Sequence, residues 1–267
     1  FRTLAGTGTQ HIELTPETGT LRSSDKLKSL ARAGGTLIVS FDVEMRAPDQ
    51  GNQLVYSMDT VFGFFPGSAL ENQVGLGTDE AYRSWVCDAP PPSEFIDLED
   101  APAAYCGGSA RLANPKLLKL DRVTGWWPEG GEAGLGRARA VKDVDPSEWF
   151  FKAHFFQDPV QPGSLGIEAI LQLQQYIMLE KGLAAGFAEP RFEALASGSP
   201  LTWKYRGQVI PSNSLITTDF ELTEIVRDER GVLALGHGSL WVDGRRIYSV
   251  HDMGMRIVEG SRHDRSS

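Results

Sequence analysis

The sequence predicts an α+β protein in which an antiparallel sheet wraps around one long central helix. Two observations carry this. From Leu165 to Leu179 nearly every position is apolar, interrupted only by Glu168, Gln172, Gln174 and Gln175. A helix apolar on most faces is a buried helix rather than a surface one. Partly alternating, β-branched runs broken by glycine turns lie both before and after that stretch, as antiparallel hairpins require. The strands therefore have one apolar helix to enclose.

Taken in order, residues 1–33 are polar and turn-rich. Ser24-Asp25 is placed to cap a short helix, Lys26 to Ala33, stopped by Gly34-Gly35. Thr36 to Met45 and Gln53 to Phe65 read as two strands of a long hairpin about a turn at Asp49–Asn52. Within 67–111, Ser68 to Gly75 allows one or two helical turns, Asp88-Ala-Pro-Pro-Pro-Ser is a breaker, and Phe95 to Ala104 is acidic. Leu117 to Val123 reads as a first strand and turn, Gly130 to Gly134 as a turn and Gly134 to Val144 as a strand. Trp149-Phe150-Phe151, ending in His154-Phe155-Phe156, is an aromatic, strand-like run. The central helix opens at Pro162-Gly163 and runs to about Lys181. After a Ser/Gly/Pro loop come strands over Trp203–Val209, Leu215–Val226, Leu233–Val242, Arg246–Val250 and Met253–Val258.

A weak internal repeat links the two ends of the chain. Val55-Tyr56-Ser57 and Ile247-Tyr248-Ser249 each follow a glycine turn by a few residues. Asp59 and Asp252 come three and four residues after their tyrosines. Both hairpins read as the closing hairpin of one unit, although amphipathic hairpins share such patterns in general. The resulting division is a partial, non-catalytic unit over 1–66, a linker over 67–111, a complete unit over 112–260 and a tail over 261–267.

The chemistry concentrates in His154-Phe-Phe-Gln-Asp158-Pro159-Val160-Gln-Pro162-Gly163-Ser-Leu165-Gly166-Ile-Glu168. A carboxylate one turn into an apolar helix is costly unless it has a partner or a task. A lone buried Glu is more often a satisfied structural acid; the order His, turn, helix, Glu with Pro-Gly between favours the task. The segment resembles the active-site motif of hot-dog-fold β-hydroxyacyl-carrier-protein dehydratases: His-Phe, Asp-Pro-Val, Pro-Gly, Leu-Gly and an acid on the central helix, the acid fourteen residues after the His. It is most similar to the dehydratase domains of polyunsaturated fatty acid synthases, multidomain enzymes of the polyketide-synthase type. One branch of the family carries Asp where this chain has Glu168; another uses Glu. The resemblance covers about residues 112–258 as a whole hot-dog unit and only the back half of a unit over 1–66, which implies a double or pseudo-double hot-dog.

For that activity the resemblance implies His154 as base, since imidazole titrates near neutrality. It implies Glu168 as the acid that protonates the leaving hydroxyl, or holds it, with burial expected to keep the carboxyl protonated. Gly163 opens the helix, where backbone N–H groups lack intrahelical partners and the dipole is positive, so a thioester oxygen can be held there. Gln172 lies one turn after Glu168, either orienting the carboxylate and lining the substrate site or only satisfying itself in the core. Asp158-Pro159 shapes the turn that aims His154; Leu165 and Gly166 serve packing. In the family the His of one unit partners the acid of another, so two copies of this chain are expected to form two sites by exchange across a twofold. No cofactor is expected beyond the phosphopantetheine of an acyl carrier protein that brings the substrate. Carrier docking is expected at Lys204, Arg206, Arg245 and Arg246, with solvated strand charges as the alternative. A hot-dog thioesterase, a hydratase of coenzyme A esters and a non-catalytic acyl-binding scaffold are the competing functions.

Composition narrows the partners. The 267 residues suffice for a sizeable core, and 41% hydrophobic with 23% charged residues is ordinary for a globular chain. A net charge of −9 argues against a nucleic-acid partner. No run of eighteen apolar residues suggests a membrane span, and the first residues have no apolar signal core. Cys87 and Cys106 are expected as a reduced pair in a cytoplasmic protein. The first residue, Phe1, is not Met, as expected for a piece of a larger synthase. His11, His237, His251 and His263 are scattered, without metal-ligand spacing.

Overall fold

The computed structural model describes residues 1–71, 73–88 and 95–260. In chain order its elements are β1 (Arg2–Gln10), β2 (Arg22–Ala33), β3 (Thr36–Ala47), β4 (Gln53–Phe64), α1 (Gly67–Glu71), α2 (Glu80–Cys87), β5 (Ile96–Asp97), α3 (Ala103–Cys106), β6 (Arg122–Trp127), β7 (Arg137–Asp143), α4 (Trp149–Ala153), α5 (Gly163–Glu180), β8 (Pro190–Phe192), β9 (Pro200–Tyr205), β10 (Leu215–Asp228), β11 (Gly231–Val242) and β12 (Arg245–Glu259). Among the described residues one continuous sheet of twelve strands runs β2-β3-β4-β1-β9-β12-β11-β10-β7-β6-β5, with β8 on β12. It wraps α5, whose Ile170, Leu173, Ile177 and Met178 are fully buried. This is the hot-dog arrangement.

The internal repeat is a structural one. β1 and β9 pair antiparallel at the middle of the sheet, and Thr7 faces Thr202 with their hydroxyl oxygens 2.9 Å apart. Three residues along from this pair, Gln10 faces Tyr56 on β4 and Tyr205 faces Tyr248 on β12. The order β1-β4-β3-β2 on one side therefore mirrors β9-β12-β11-β10 on the other. The unequal spacing of Asp59 and Asp252 has a cause. β12 carries a bulge between Val250 and Met253, and Asp252 takes φ 58° there.

Four local expectations are corrected. Residues 1–33 are not loop: β1 occupies the centre of the sheet. Gly6 and Gly8 make this possible, since a Cβ at Gly6 would collide with the Trp203 ring and one at Gly8 with the Tyr56 hydroxyl. Lys26–Ala33 is strand β2, not helix. Gly34 and Gly35, at φ 55° and 79°, make the tight turn into β3. The Ser24-Asp25 cap and the Gly34-Gly35 stop suggested helix. A bulge between Leu27 and Ser29 instead sets Leu27 and Leu30 opposite inner-face residues of β3, Phe41 and Val39. The aromatic run Trp149–Ala153 is helix α4. Phe150 and Phe151 are both buried, which adjacent strand positions facing opposite ways would not give. Arg246–Val250 and Met253–Val258 are one strand, joined through the bulge.

The described residues of 67–111, a stretch expected as a linker, pack on residues of 112–260. Tyr82 of α2 donates to Asp219 on β10 at 2.6 Å, Val86 and Leu98 are buried, and β5 extends the sheet beside β6. Cys87 and Cys106 are both free thiols. Residues 89–93 of the breaker, with Glu94, and the tail 261–267 that contains His263 lie outside the described residues. Among the described residues no helix is long and apolar enough to cross a membrane.

Candidate active site

α5 begins at Gly163 after Pro162 and presents its first turns to a cavity of about 510 Å³. Gly163, Ser164, Ile167 and Glu168 open onto it from the helix, and so does His154 from the turn before it. The sequence motif is thus gathered at one place, within one chain. The third wall comes from the N-terminal half: Thr3 of β1 and Tyr56 and Met58 of β4. His154 and Glu168 of one chain thus reach the same cavity without an exchange across a twofold, and the chain's own first strands close it.

His154 is the C-cap of α4 and is half-buried. Its Nδ1 lies 2.9 Å from the Val160 carbonyl oxygen. A carbonyl can only accept, so Nδ1 carries the hydrogen and the lone pair of the neutral ring sits on Nε2. Two further residues of the turn complete its geometry. Gln157 adopts the left-handed region at φ 58°, and Gln161 N–H donates to Val209 at 3.0 Å.

Glu168 is half-buried, not sealed in the core: it faces the cavity. Gln172, fully buried, donates through Nε2 to Glu168 Oε1 at 2.8 Å and to the Leu117 carbonyl at 2.9 Å. Its Oε1 accepts from Lys119 N–H at 2.7 Å. Both roles weighed for Gln172 are therefore present: its amide is satisfied by the 117–119 backbone and, so fixed, orients the carboxylate. It does not line the cavity, so its assignment to substrate binding is corrected.

Around Gly163 the protein leaves room. A Cβ there would meet only the Tyr248 hydroxyl, at 3.6 Å. That hydroxyl donates to the Gly163 carbonyl at 3.1 Å and fixes the helix start. Burial pushes the Tyr248 phenol well above its ordinary pKa, so it acts as a neutral donor. At Gly166 a side chain would collide with the Tyr248 ring, which makes that glycine a packing requirement. Asp158 is absent from the cavity wall; its carboxylate pairs with Arg2.

Sequence reasoning did not mark Tyr56, Met58 and Thr3 as cavity wall, Tyr248 as the helix-start donor, or Arg2 as the partner of Asp158. For the two tyrosines a signal existed, their repeat; for Arg2 there was none. Among the described residues no cluster of His, Cys, Asp or Glu is arranged to hold a metal ion.

Residues 112–251 match the FabA-like domain. The chain is 30% identical over 257 residues to a polyunsaturated fatty acid synthase polypeptide of Thraustochytrium sp. (strain ATCC 26185 / S-3), an alignment that covers 90% of this chain and 17% of that protein. The chain thus spans about a sixth of that relative's length. Among solved structures, a putative thioesterase from Novosphingobium aromaticivorans DSM 12444 superposes at TM-score 0.49 and 14% identity over 97% of this chain and 80% of its own. A MaoC-like dehydratase does so at 0.45 and 10%, over 97% and 75%.

Proposed function

The chain belongs to the FabA-like domain family, and on that premise we propose that it is a dehydratase of 3-hydroxyacyl thioesters delivered on an acyl carrier protein, a lyase within a larger fatty acid or polyunsaturated fatty acid synthase. The observation that carries this reading is the cavity onto which His154, Glu168 and the first residue of α5 all open. In the reaction, His154 Nε2 takes the α-proton. The electrons form the Cα–Cβ double bond as the β C–O bond breaks, and the departing hydroxyl takes a proton from Glu168 and leaves as water. The imidazolium and the carboxylate are reset when a proton returns from His154 to Glu168. Negative charge on the thioester oxygen meets the positive end of α5 at Gly163, where preorganised N–H groups stabilise it best. Gln172 and Tyr248 hold the acid and the helix start in place. The chain itself supplies the acid and the base, so the reading calls for no cofactor.

The carrier would dock through local charge, since the whole chain is acidic at −9 and attraction acts within about a Debye length of ~8–10 Å. Lys204 and Arg206 are exposed on the sheet face opposite the buried Trp203 and Tyr205, and Arg245 is exposed as well. Arg246 is half-buried, donates to Ser239 at 2.9 Å and lies over the Tyr82 ring, which makes it a structural cation first.

The test is turnover of a β-hydroxyacyl thioester mimic, followed by 2-enoyl absorbance and by free thiol together. Enoyl absorbance without thiol release is the expected result. Thiol release without enoyl product would make the chain a thioesterase, and neither signal would make it a binding module.

A further inference from the structure

The segment between His154 and Gln161 has no regular structure, and Phe156 at its tip is 91% exposed. A general base must hold its position to a fraction of an ångström, because a misplacement of about 1 Å costs about 10²-fold in rate. Three of the contacts that hold this turn bear on the base: the His154–Val160 hydrogen bond, the Gln161–Val209 backbone bond, and Asp158, whose two carboxylate oxygens receive Arg2 Nη1 at 2.7 Å and Nη2 at 2.9 Å.

That third contact crosses from the other half of the molecule. Arg2 is the first residue of β1, and its side chain is 5% exposed. Its fork is fully used. Nε and Nη2 donate to Gln208 Oε1 at 3.0 and 2.7 Å, and Nη1 donates also to the Phe1 carbonyl at 2.8 Å. A bidentate guanidinium–carboxylate pair whose guanidinium is buried fixes the angle as well as the distance between two segments, which a lysine cannot do. Asp158 lies four residues after the base and two before the carbonyl that orients its ring. A constraint on Asp158 is therefore a constraint on His154.

We propose that Arg2 is a positioning residue for the dehydration: through Asp158 it sets the turn that aims His154, which gives the N-terminal half a part in the reaction as well as in the cavity wall. This rests on the dehydratase reading above. Wild-type turnover of the β-hydroxyacyl mimic is measured first, since its absence defeats that reading and leaves Arg2 to be judged by a second, activity-free readout. The variants are Arg2→Met, Arg2→Lys, Asp158→Asn and the Arg2→Met/Asp158→Asn double, each checked for folding by circular dichroism and melting temperature. Arg2→Met is expected to lower kcat by about 10- to 100-fold with KM within about threefold. Arg2→Lys should recover part of the loss, and the double variant should lose no more than the worse single, because the pair acts as one unit. The activity-free readout is the imidazole nitrogen spectrum of His154. Nδ1 is protonated and bonded in the wild type, and in Arg2→Met that single tautomer should give way to exchange between the two. Unchanged kcat per folded molecule in Arg2→Met, or losses that add in the double variant, would overturn the proposal. So would an unchanged His154 spectrum in Arg2→Met.

Discussion

Under α5, the inner face of β10–β12 is sealed: Phe220, Leu240 and Val250 have no exposed surface. Across the β1–β9 seam, the matching face of β2–β4 leaves Leu27 and Leu30 more than half exposed, at 52% and 55%. Strand order, register about Thr7–Thr202 and the paired tyrosines are shared by the two halves. The helix, His154 and Glu168 are in one only. The hairpin frame by itself therefore does not make a site. On the dehydratase reading proposed above, a site needs the helix start, which supplies the acid and the oxygen-binding backbone together. The half without a helix contributes a wall, through Tyr56 and Met58, and a brace, through Arg2.

The comparison breaks first at the catalytic pair. His154→Ala should lower kcat by about 10²–10⁴-fold with the fold intact, the range for a positioned general base. Glu168→Gln should keep the fold and reduce dehydration by at least about 10²-fold. Near-normal turnover in either folded variant, measured by enoyl absorbance, removes that residue from the mechanism.

Stability should divide the halves nearly as sharply. Ile170 of α5 is fully buried, so Ile170→Ala should cost about 2–5 kcal/mol in denaturant unfolding. Leu27→Ala and Leu30→Ala, on the uncovered face, should each stay within about 0.5–1 kcal/mol. Equal costs would mean that the N-terminal face is packed in solution after all.

A smaller effect tests the brace in acid. Hydrogen bonding to Arg2 holds the Asp158 carboxyl below the usual carboxylate range, against a smaller opposing effect of burial. A depressed folded pKa stabilises above the unfolded value of ~3.9, and this contribution is lost as pH falls through the folded value. The difference in melting temperature between wild type and Asp158→Asn should thus be full above about pH 5 and shrink toward zero in strong acid. A difference that grows on acidification contradicts the pairing.

The smallest expected change concerns the carrier. Lys204→Glu with Arg245→Glu should raise KM for a carrier-linked substrate a few-fold, as should added salt, and leave the small mimic unaffected. Equal loss on both substrates indicates damage to the fold. No change on either removes this patch from docking.

Much of the site was legible because its residues are near each other in sequence. His154, Gly163, Glu168 and Gln172 lie on one turn and one helix, so the family resemblance of one continuous segment is enough to gather them. What could not be read is what comes from far away. Arg2 reaches Asp158 across 156 residues, and nothing near Arg2 in the sequence announces an ion pair. Tyr56 was visible as half of a repeat, but its place over Gly8 and at the cavity depends on a seam between distant strands. Local signals also misled where pairing overrode them. Ser24-Asp25 offered a cap, yet β3 captured the segment through the Gly34-Gly35 turn. At Trp149–Ala153 the aromatic content suggested a strand, while burial of both Phe150 and Phe151 required a helical turn.

The seam also bears on how the protein is made. Thr7 meets Thr202 across 195 residues of intervening chain. At a synthesis rate of about 5–20 residues per second, β1 leaves the ribosome roughly 10–40 s before β9 can pair with it. In that interval it can join β4 on one side while its other edge stays open, with unpaired N–H and C=O groups that invite other strands. With Gly6 and Gly8 in its interior, β1 makes a poor template for such contacts, and the same two glycines that admit Trp203 and Tyr56 in the finished sheet weaken it as an aggregation edge while the chain is growing.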